Sequence, residues 1–300
     1  MTSPAASIGV GTGRVLAGLA GRGILESRTP WMHEREGAAQ GLLLAYALFD
    51  FTDRHWADDD LPRLLDACQR IGFAGINVTF PFKQAIVPLL DELSAGAQAI
   101  GAVNTVVFRD GRRIGHNTDI TGFAEGFRSG LAGVQAGTVL QLGCGGAGSA
   151  TAHALLGQLG AHCVLLADTD RVRAEALRAQ LAAAYGADRA MVCDDPVAGA
   201  AQADGLLNAS PMGMAKFPGM PLPAEAIAAR HWVADIVYFP LVTEFLAAAR
   251  SRGCRVLDGS GMAVGQAADA FALFTGRQPD RRRMAESFAA FVAERSRAAA

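Results

Sequence analysis

Apolar and polar positions change period repeatedly along the chain, from the two-residue alternation of strands to the wider spacing of helices. RVLAGLA, LLLAYALFDF and GINVTF are short runs rich in Leu, Val, Ile and Phe, bounded by Gly, Asp or Pro, and predict strands. Between and after them, the residues from Met32 to Gln40, Leu61 to Ile71 and Ile86 to Leu93 predict helices. AVNTVVFRDGRRIGHNT predicts a hairpin turning at Asp110-Gly111, a pair suited to two residues with positive φ. DITGFAEGFRSGL then predicts a helix with Asp119 near its start. Beyond it, strand and helix alternate to about Leu257 through TVLQLG, HCVLLAD, RVRAEALRAQLAAAY, RAMVCD, DGLLNAS, WVADIVY and CRVL. The tail holds two amphipathic helices, SGMAVGQAADAFALFTG and MAESFAAFVAERS, the first with Met262, Val264, Ala268, Phe271 and Phe274 at helical spacing.

Such alternation implies an α/β fold with helices on the faces of its sheets. The break after Thr118 divides it: an N-terminal α/β domain over residues 15–120, and a Rossmann-type doubly wound domain over 121–259. The C-terminal helices, 260–300, are expected to return to the first domain, and residues 1–14 read as a loose leader.

With 300 residues, 51% hydrophobic and 19% charged, the chain has enough apolar surface for two cores and is too apolar for disorder. A net charge of −2 gives no electrostatic case for a nucleic-acid partner or a polybasic membrane contact, while a small anionic substrate stays open. The five cysteines are odd in number and form no CxxC pair, which points to reduced thiols in the cytoplasm. No run of 18 apolar residues would span a bilayer, the leader lacks the pattern of a secretion signal, and no histidine spacing suggests a metal. Monomer and homodimer both fit these residues.

The first chemical signal is Gly143-Cys144-Gly145-Gly146-Ala147-Gly148, which closes a strand and opens a helix and so fits G-x-G-x-x-G in the context that gives the pattern meaning. Glycine there allows a tight turn, close approach of a pyrophosphate, and a helix N-terminus facing the anion. The next strand ends in Asp168, placed to accept hydrogen bonds from both ribose hydroxyls of NAD and to repel the 2′-phosphate of NADP. Arg173, on the following helix, is a candidate to stack on adenine.

The second signal is a lysine. Of 27 basic residues only Lys83 and Lys216 are lysine, and Lys83 follows an aromatic-Pro-aromatic turn after a strand. Hydride removal from an alcohol needs a group to take the hydroxyl proton, and an amine can do so where a guanidinium cannot. Asp119, in GHNTDITGF, is its natural partner. Lys216 reads as an exposed loop charge, His33 as packing or capping a helix, and Cys144 as a small filler between glycines.

From about Leu16 to Gly276 the chain resembles the shikimate dehydrogenase superfamily, through GLAGRGILESRTPWMH, GINVTFPFK, GAVNT, GHNTDITGF, LGCGGAG, LLNASPMGM, DIVYFP and DGSGMAVGQAADAF in that order. The resemblance implies that Lys83 and Asp119 are the catalytic pair, and that the first domain with the tail helices binds substrate. It implies Ser27, Thr29, Thr79, Asn104 and Gln266 as ligands of the substrate carboxylate and ring hydroxyls, and Tyr238 beside substrate and nicotinamide. Ala209, Ile236, Gly259 and Met262 are expected along the cofactor, while Asn208 and Ser210 either serve it or only turn a strand end. The form Ser27-Arg28-Thr29, together with Asp168, resembles the NAD-dependent quinate/shikimate branch. The expected reaction is hydride transfer between NAD and the ring alcohol of shikimate or quinate, giving 3-dehydroshikimate or 3-dehydroquinate. Ala20 and Gly265 depart from the residues common in the family. An NADP-dependent biosynthetic shikimate dehydrogenase, or an aminoshikimate dehydrogenase, is the alternative. A non-catalytic metabolite sensor would be expected to have lost the Lys–Asp pair, and both residues are present.

Overall fold

The computed structural model describes residues 13–298. The stretch read as a leader lies outside them apart from Gly13 and Arg14, and Arg14 already opens the first strand. The described residues form two compact units, one from 13–118 together with 266–298, the other Asp119–Gly265.

The first unit carries a six-stranded mixed sheet in the order β2-β1-β3-β5-β6-β4. Its strands are β1 (Arg14–Gly21), β2 (Leu43–Asp50), β3 (Gly75–Val78), β4 (Glu92–Leu93), β5 (Thr105–Arg109) and β6 (Arg112–His116). β1 runs parallel to β2 and β3, while β5 runs antiparallel to β3 and β6. The β5–β6 turn has positive φ at Asp110 (51°) and Gly111 (76°), as a two-residue hairpin requires. The helices are α1 (Thr29–Ala39), α2 (Leu61–Ile71), α3 (Phe82–Ala85) and α4 (Ala95–Ile100). Pro62 starts α2, Leu61, Leu64, Leu65 and Cys68 form its buried stripe, and Gly72 ends it with φ 94°. That stripe packs on Ile76, Val78 and Phe82. Each such large apolar side chain contributes about 1.5–3 kcal/mol by leaving water.

The helix expected from Ile86 to Leu93 does not form. Pro88 has no N–H to give the carbonyl one turn back, so the chain goes from α3 to a single tight turn, Val87–Leu89, and then to β4. The short α3 therefore ends two residues after Lys83 and leaves that side chain half-buried.

In the second unit six strands, all parallel, run in the order β12-β11-β10-β7-β8-β9. They are β7 (Thr138–Leu142), β8 (Cys163–Ala167), β9 (Ala190–Val192), β10 (Gly205–Asn208), β11 (Trp232–Asp235) and β12 (Arg255–Leu257). Helices cover both faces, so β8, β10 and β11 are buried along their length, which is why they read as unbroken apolar runs. The helices are α5 (Asp119–Gly130), α6 (Gly146–Gly157), α7 (Arg171–Tyr185), α8 (Pro196–Gln202), α9 (Glu244–Ser251) and α10 (Ser260–Thr275), the last continuing into the first unit, where α11 (Arg281–Ala298) follows. The order is the doubly wound one, and its direction reverses between β7 and β10, the place where such sheets bind ligands.

Both family departures are packing features. Ala20 is fully buried among Phe51, Ile76 and Phe82. A Cβ on Gly265 would lie 2.6 Å from the Cα of Gly122, so α10 can approach α5 this closely only with glycine there.

Candidate active site

In the first unit the expected substrate ligands gather at one edge of the sheet, where β1, β2, β3 and β6 end and β5 begins. Ser27 and Thr29 lie in the connection from β1 to α1. The Ser27 hydroxyl donates to Thr29 Oγ1 (3.1 Å), and the Thr29 amide donates back to Ser27 Oγ (3.3 Å). This loop is held by a residue outside the expected set, Asp50 at the end of β2. Its Oδ1 accepts from the amides of Gly23 (2.9 Å), Thr52 (2.9 Å) and Asp53 (3.4 Å), and its Oδ2 from Ile24 (2.6 Å) and Leu25 (3.2 Å). Burial alone would raise its pKa, but these N–H donors outweigh that, and the carboxyl lies below its ordinary value.

Thr79 follows β3 and donates its amide to Ala20 O (3.0 Å), while Arg22 N donates to Phe80 O (3.0 Å), so the loops after β1 and β3 run side by side. A Cβ on Gly21 would lie 2.4 Å from Thr79 Cγ2. Glycine there is what lets Thr79 sit against the first loop. Lys83 is fixed through its backbone, its carbonyl accepting from Val103 N (2.8 Å), which brings it next to Asn104. Asn104 is buried and serves as a hub. Its Nδ2 donates to Thr118 Oγ1 (3.0 Å) and Gln266 Oε1 (3.4 Å), and its Oδ1 accepts from Thr118 N (2.9 Å) and Thr105 Oγ1 (3.0 Å). Thr118, a second residue outside the expected set, precedes Asp119 in the chain. Asp119 itself opens α5 in the other unit and is buried.

In the second unit each glycine of the turn after β7 has its own task. Gly143 has φ +107°, and a Cβ there would lie 2.7 Å from the backbone of Ala209. Gly148 packs α6 on the turn, since its Cβ would lie 2.2 Å from Gly143 O. A Cβ on Gly145 would meet no atom within 4 Å, so that side of the turn is open. α6 begins there, and its first amides have no partner one turn earlier in the helix. A pyrophosphate fits this cradle by shape and by charge. The Cys144 thiol, pushed up to about 12 by burial and by Asp168, is inert; its amide is the useful group, donating to Asp168 Oδ2 (2.7 Å).

Asp168 follows β8. Its Oδ1 accepts from Asp170 N (2.9 Å) and lies 3.6 Å from Arg173 Nη1. Each carboxylate oxygen already holds one amide and has a lone pair left, so the group retains capacity for a ribose diol.

Of the residues expected along the cofactor, Ala209 lies beside Gly143, and Gly259 lies beside Ile236, whose carbonyl oxygen would be 2.4 Å from a Cβ on Gly259. Met262 is buried, and Tyr238 is exposed in the loop after β11. Asn208 and Ser210 turn the strand end. Ser210 donates its amide and hydroxyl to Asn208 Oδ1 (3.1 and 2.6 Å), and Asn208 Nδ2 donates to Met212 O (2.8 Å). Behind them stands Asp235, which ends β11 and accepts from Asn208 Nδ2 (3.0 Å), Val237 N (2.9 Å) and Thr243 Oγ1 (2.7 Å). Burial raises its pKa to about 6, with the three donors pulling the other way. Nothing in the DIVYFP stretch itself marks Asp235 for this role.

His33 is fully buried beside Tyr46, Phe271 and Phe274, and burial lowers its pKa to about 3, so it packs as a neutral ring. Lys216 is exposed. Among the described residues there is no cluster suited to a metal, no helix long and apolar enough to cross a membrane, and all five cysteines are free thiols.

Residues 19–106 match the family described as "Shikimate dehydrogenase substrate binding domain", and residues 259–287 match "Shikimate 5'-dehydrogenase C-terminal domain". A shikimate dehydrogenase (NADP(+)) from Pseudarthrobacter chlorophenolicus is 49% identical over 280 residues, covering 93% of this chain and 95% of the relative. A quinate/shikimate dehydrogenase (NAD(+)) from Corynebacterium glutamicum is 46% identical, covering 91% of this chain and 98% of the relative. The solved structure of quinate dehydrogenase from Corynebacterium glutamicum in complex with NAD aligns with a TM-score of 0.86 and 45% identity, over 92% of this chain and 99% of that one.

Proposed function

The chain belongs to the shikimate dehydrogenase family, a pyridine-nucleotide oxidoreductase family, and from that premise we propose that it is an NAD-dependent dehydrogenase of shikimate and quinate. The observation that carries the choice of NAD is the Asp168 carboxylate, held by the Cys144 amide at the end of β8 with capacity left for two hydroxyl donors. A 2′-phosphate there would forfeit two charge-assisted hydrogen bonds and add repulsion, a preference for NAD of about tenfold or more. Relatives of similar identity include NADP(+) and NAD(+) enzymes, so overall likeness does not decide the cofactor; what supports NAD is this carboxylate.

Bound NAD would accept a hydride from the ring carbon that bears the oxidised hydroxyl. Gly143, Gly145, Gly146, Ala147 and Gly148 would hold its pyrophosphate, and Ala209, Ile236, Gly259 and Met262 would flank its nicotinamide half, with Arg173 at the adenine end. As the C–H pair leaves, Lys83 in its amine form takes the hydroxyl proton and a C=O bond forms; reduction runs the same steps backwards. Asp119 would be the second member of the catalytic pair, orienting the alcohol for proton transfer. Ser27, Thr29, Thr79, Asn104, Tyr238 and Gln266 supply neutral donors and acceptors for the carboxylate and remaining hydroxyls, a set suited to a small polyol acid.

The test is NADH or NADPH formation with each substrate and each cofactor. The proposal expects turnover of shikimate and quinate with NAD, at kcat/KM about tenfold or more above NADP. Preference for NADP would instead establish the biosynthetic alternative.

A further inference from the structure

The groups around the ribose end of the cofactor site that could welcome a phosphate are already taken. α7 starts beside Asp168 with its positive end toward that region, but Asp170 caps it, Oδ1 accepting from Val172 N (3.0 Å) and Arg173 N (3.3 Å). The guanidinium of Arg173 lies between two carboxylates, Nη1 3.6 Å from Asp168 Oδ1 and Nη2 3.5 Å from Asp170 Oδ2. Arg171 is paired with Asp194 and lies 3.5 Å from Glu175. Asp170 is thus the one residue that closes both the helix end and Arg173, and its own amide anchors Asp168.

We propose that Asp170 is a second specificity-determining residue, which keeps the start of α7 and Arg173 closed to a 2′-phosphate, so that removing the Asp168 carboxylate alone does not open the site to NADP. This rests on the NAD reading above. Two fixed negative charges within reach of a phosphate dianion repel it jointly, and while Asp170 remains, Arg173 has a partner it need not leave. Serine at position 170 would still cap the helix through its hydroxyl, would free Arg173, and would offer the phosphate a donor.

The experiment measures binding without turnover, by calorimetry, of ADP-ribose and 2′-phospho-ADP-ribose to the wild type, Asp168→Ser, Asp170→Ser and the double variant. The wild type should bind ADP-ribose the more tightly. Asp168→Ser should lose ADP-ribose affinity yet gain less than about threefold for the phosphorylated ligand, whereas the double variant should gain about tenfold or more. That gain should fade between low and high salt, because it rests on exposed charges. Thermal unfolding of each variant confirms that the helix start is retained. A double variant that binds the phosphorylated ligand no better than Asp168→Ser overturns the role of Asp170 and leaves the NAD reading standing. A wild type that prefers 2′-phospho-ADP-ribose overturns the NAD reading itself.

Discussion

Asp50 and Asp235 stand in equivalent places in the two units. Each ends a parallel strand, each is buried, and each gathers a loop that carries residues proposed to bind a ligand. Their carboxyls nevertheless shift in opposite directions, Asp50 below its ordinary value and Asp235 up to about 6. The difference lies in the donors. Asp50 takes five backbone N–H groups, none of which can reverse its polarity. Asp235 takes one amide N–H, one side-chain amide and one hydroxyl, and a hydroxyl can accept as readily as donate. Burial penalises both charges; enough fixed donors keep the first ionised at little cost, and too few leave the second under strain.

The largest effect expected from this contrast is at Asp50. Asp50→Asn turns an NH2 group toward backbone N–H groups that the carboxylate now satisfies, which should cost about 3 kcal/mol or more in denaturant unfolding. Because the loop carries Ser27 and Thr29, the KM for shikimate should rise while the KM for NAD is unchanged. A variant as stable as the wild type would break the comparison.

Next in size is the dependence on pH. The raised folded pKa of Asp235 means that between about pH 4 and pH 6 the native state holds more protons than the unfolded one, so this group's contribution falls as pH rises through that window. The difference is up to roughly 3 kcal/mol. For Asp50 the sign is reversed: its contribution is present above the unfolded value and is lost as pH falls through the folded one. His33 and His153, both lowered by burial, lose stability on acidification across an overlapping window, so the reading is the difference between wild type and Asp235→Asn. Equal stability curves for the two proteins from pH 5 to pH 8 would contradict the buried-charge account.

The smallest effect is the residual one. Near pH 4 and below, where little of the penalty for ionising Asp235 has yet developed, Asp235→Asn should differ from the wild type by less than about 1 kcal/mol, since the new NH2 can donate to Thr243 Oγ1 in place of the carboxyl proton. A large loss there would show that the asparagine cannot keep the three bonds.

The contrast also marks what could be read in the sequence. Glycine at 143 and 148 was legible because each position excludes a side chain, Gly143 by its positive φ and Gly148 by its approach to the Gly143 carbonyl, and the strand and helix around the turn announce themselves by pattern. Lys83 stands out in the sequence because lysine is so rare in this chain. Asp50 and Asp235 do not. An aspartate at the end of an apolar run looks alike whether it meets five amides or three mixed donors, and those partners come from distant loops. The segment from Ile86 to Leu93 reads as a helix in the sequence, but the missing N–H of Pro88 breaks it into a tight turn and a short strand. Gly265 and Gly122, 143 residues apart by number, show their close approach only in three dimensions.

The central claim is that a lysine–aspartate pair performs proton transfer during oxidation of a ring alcohol. It is tested most directly by kcat for shikimate oxidation in Lys83→Ala, Asp119→Asn and the double variant, with NAD saturating. The account predicts that Lys83→Ala lowers kcat about a hundredfold or more with a much smaller change in KM, and that the double variant is little worse than Lys83→Ala because the two residues act as one unit. Near-normal turnover by Lys83→Ala, or losses that simply multiply in the double variant, would contradict it.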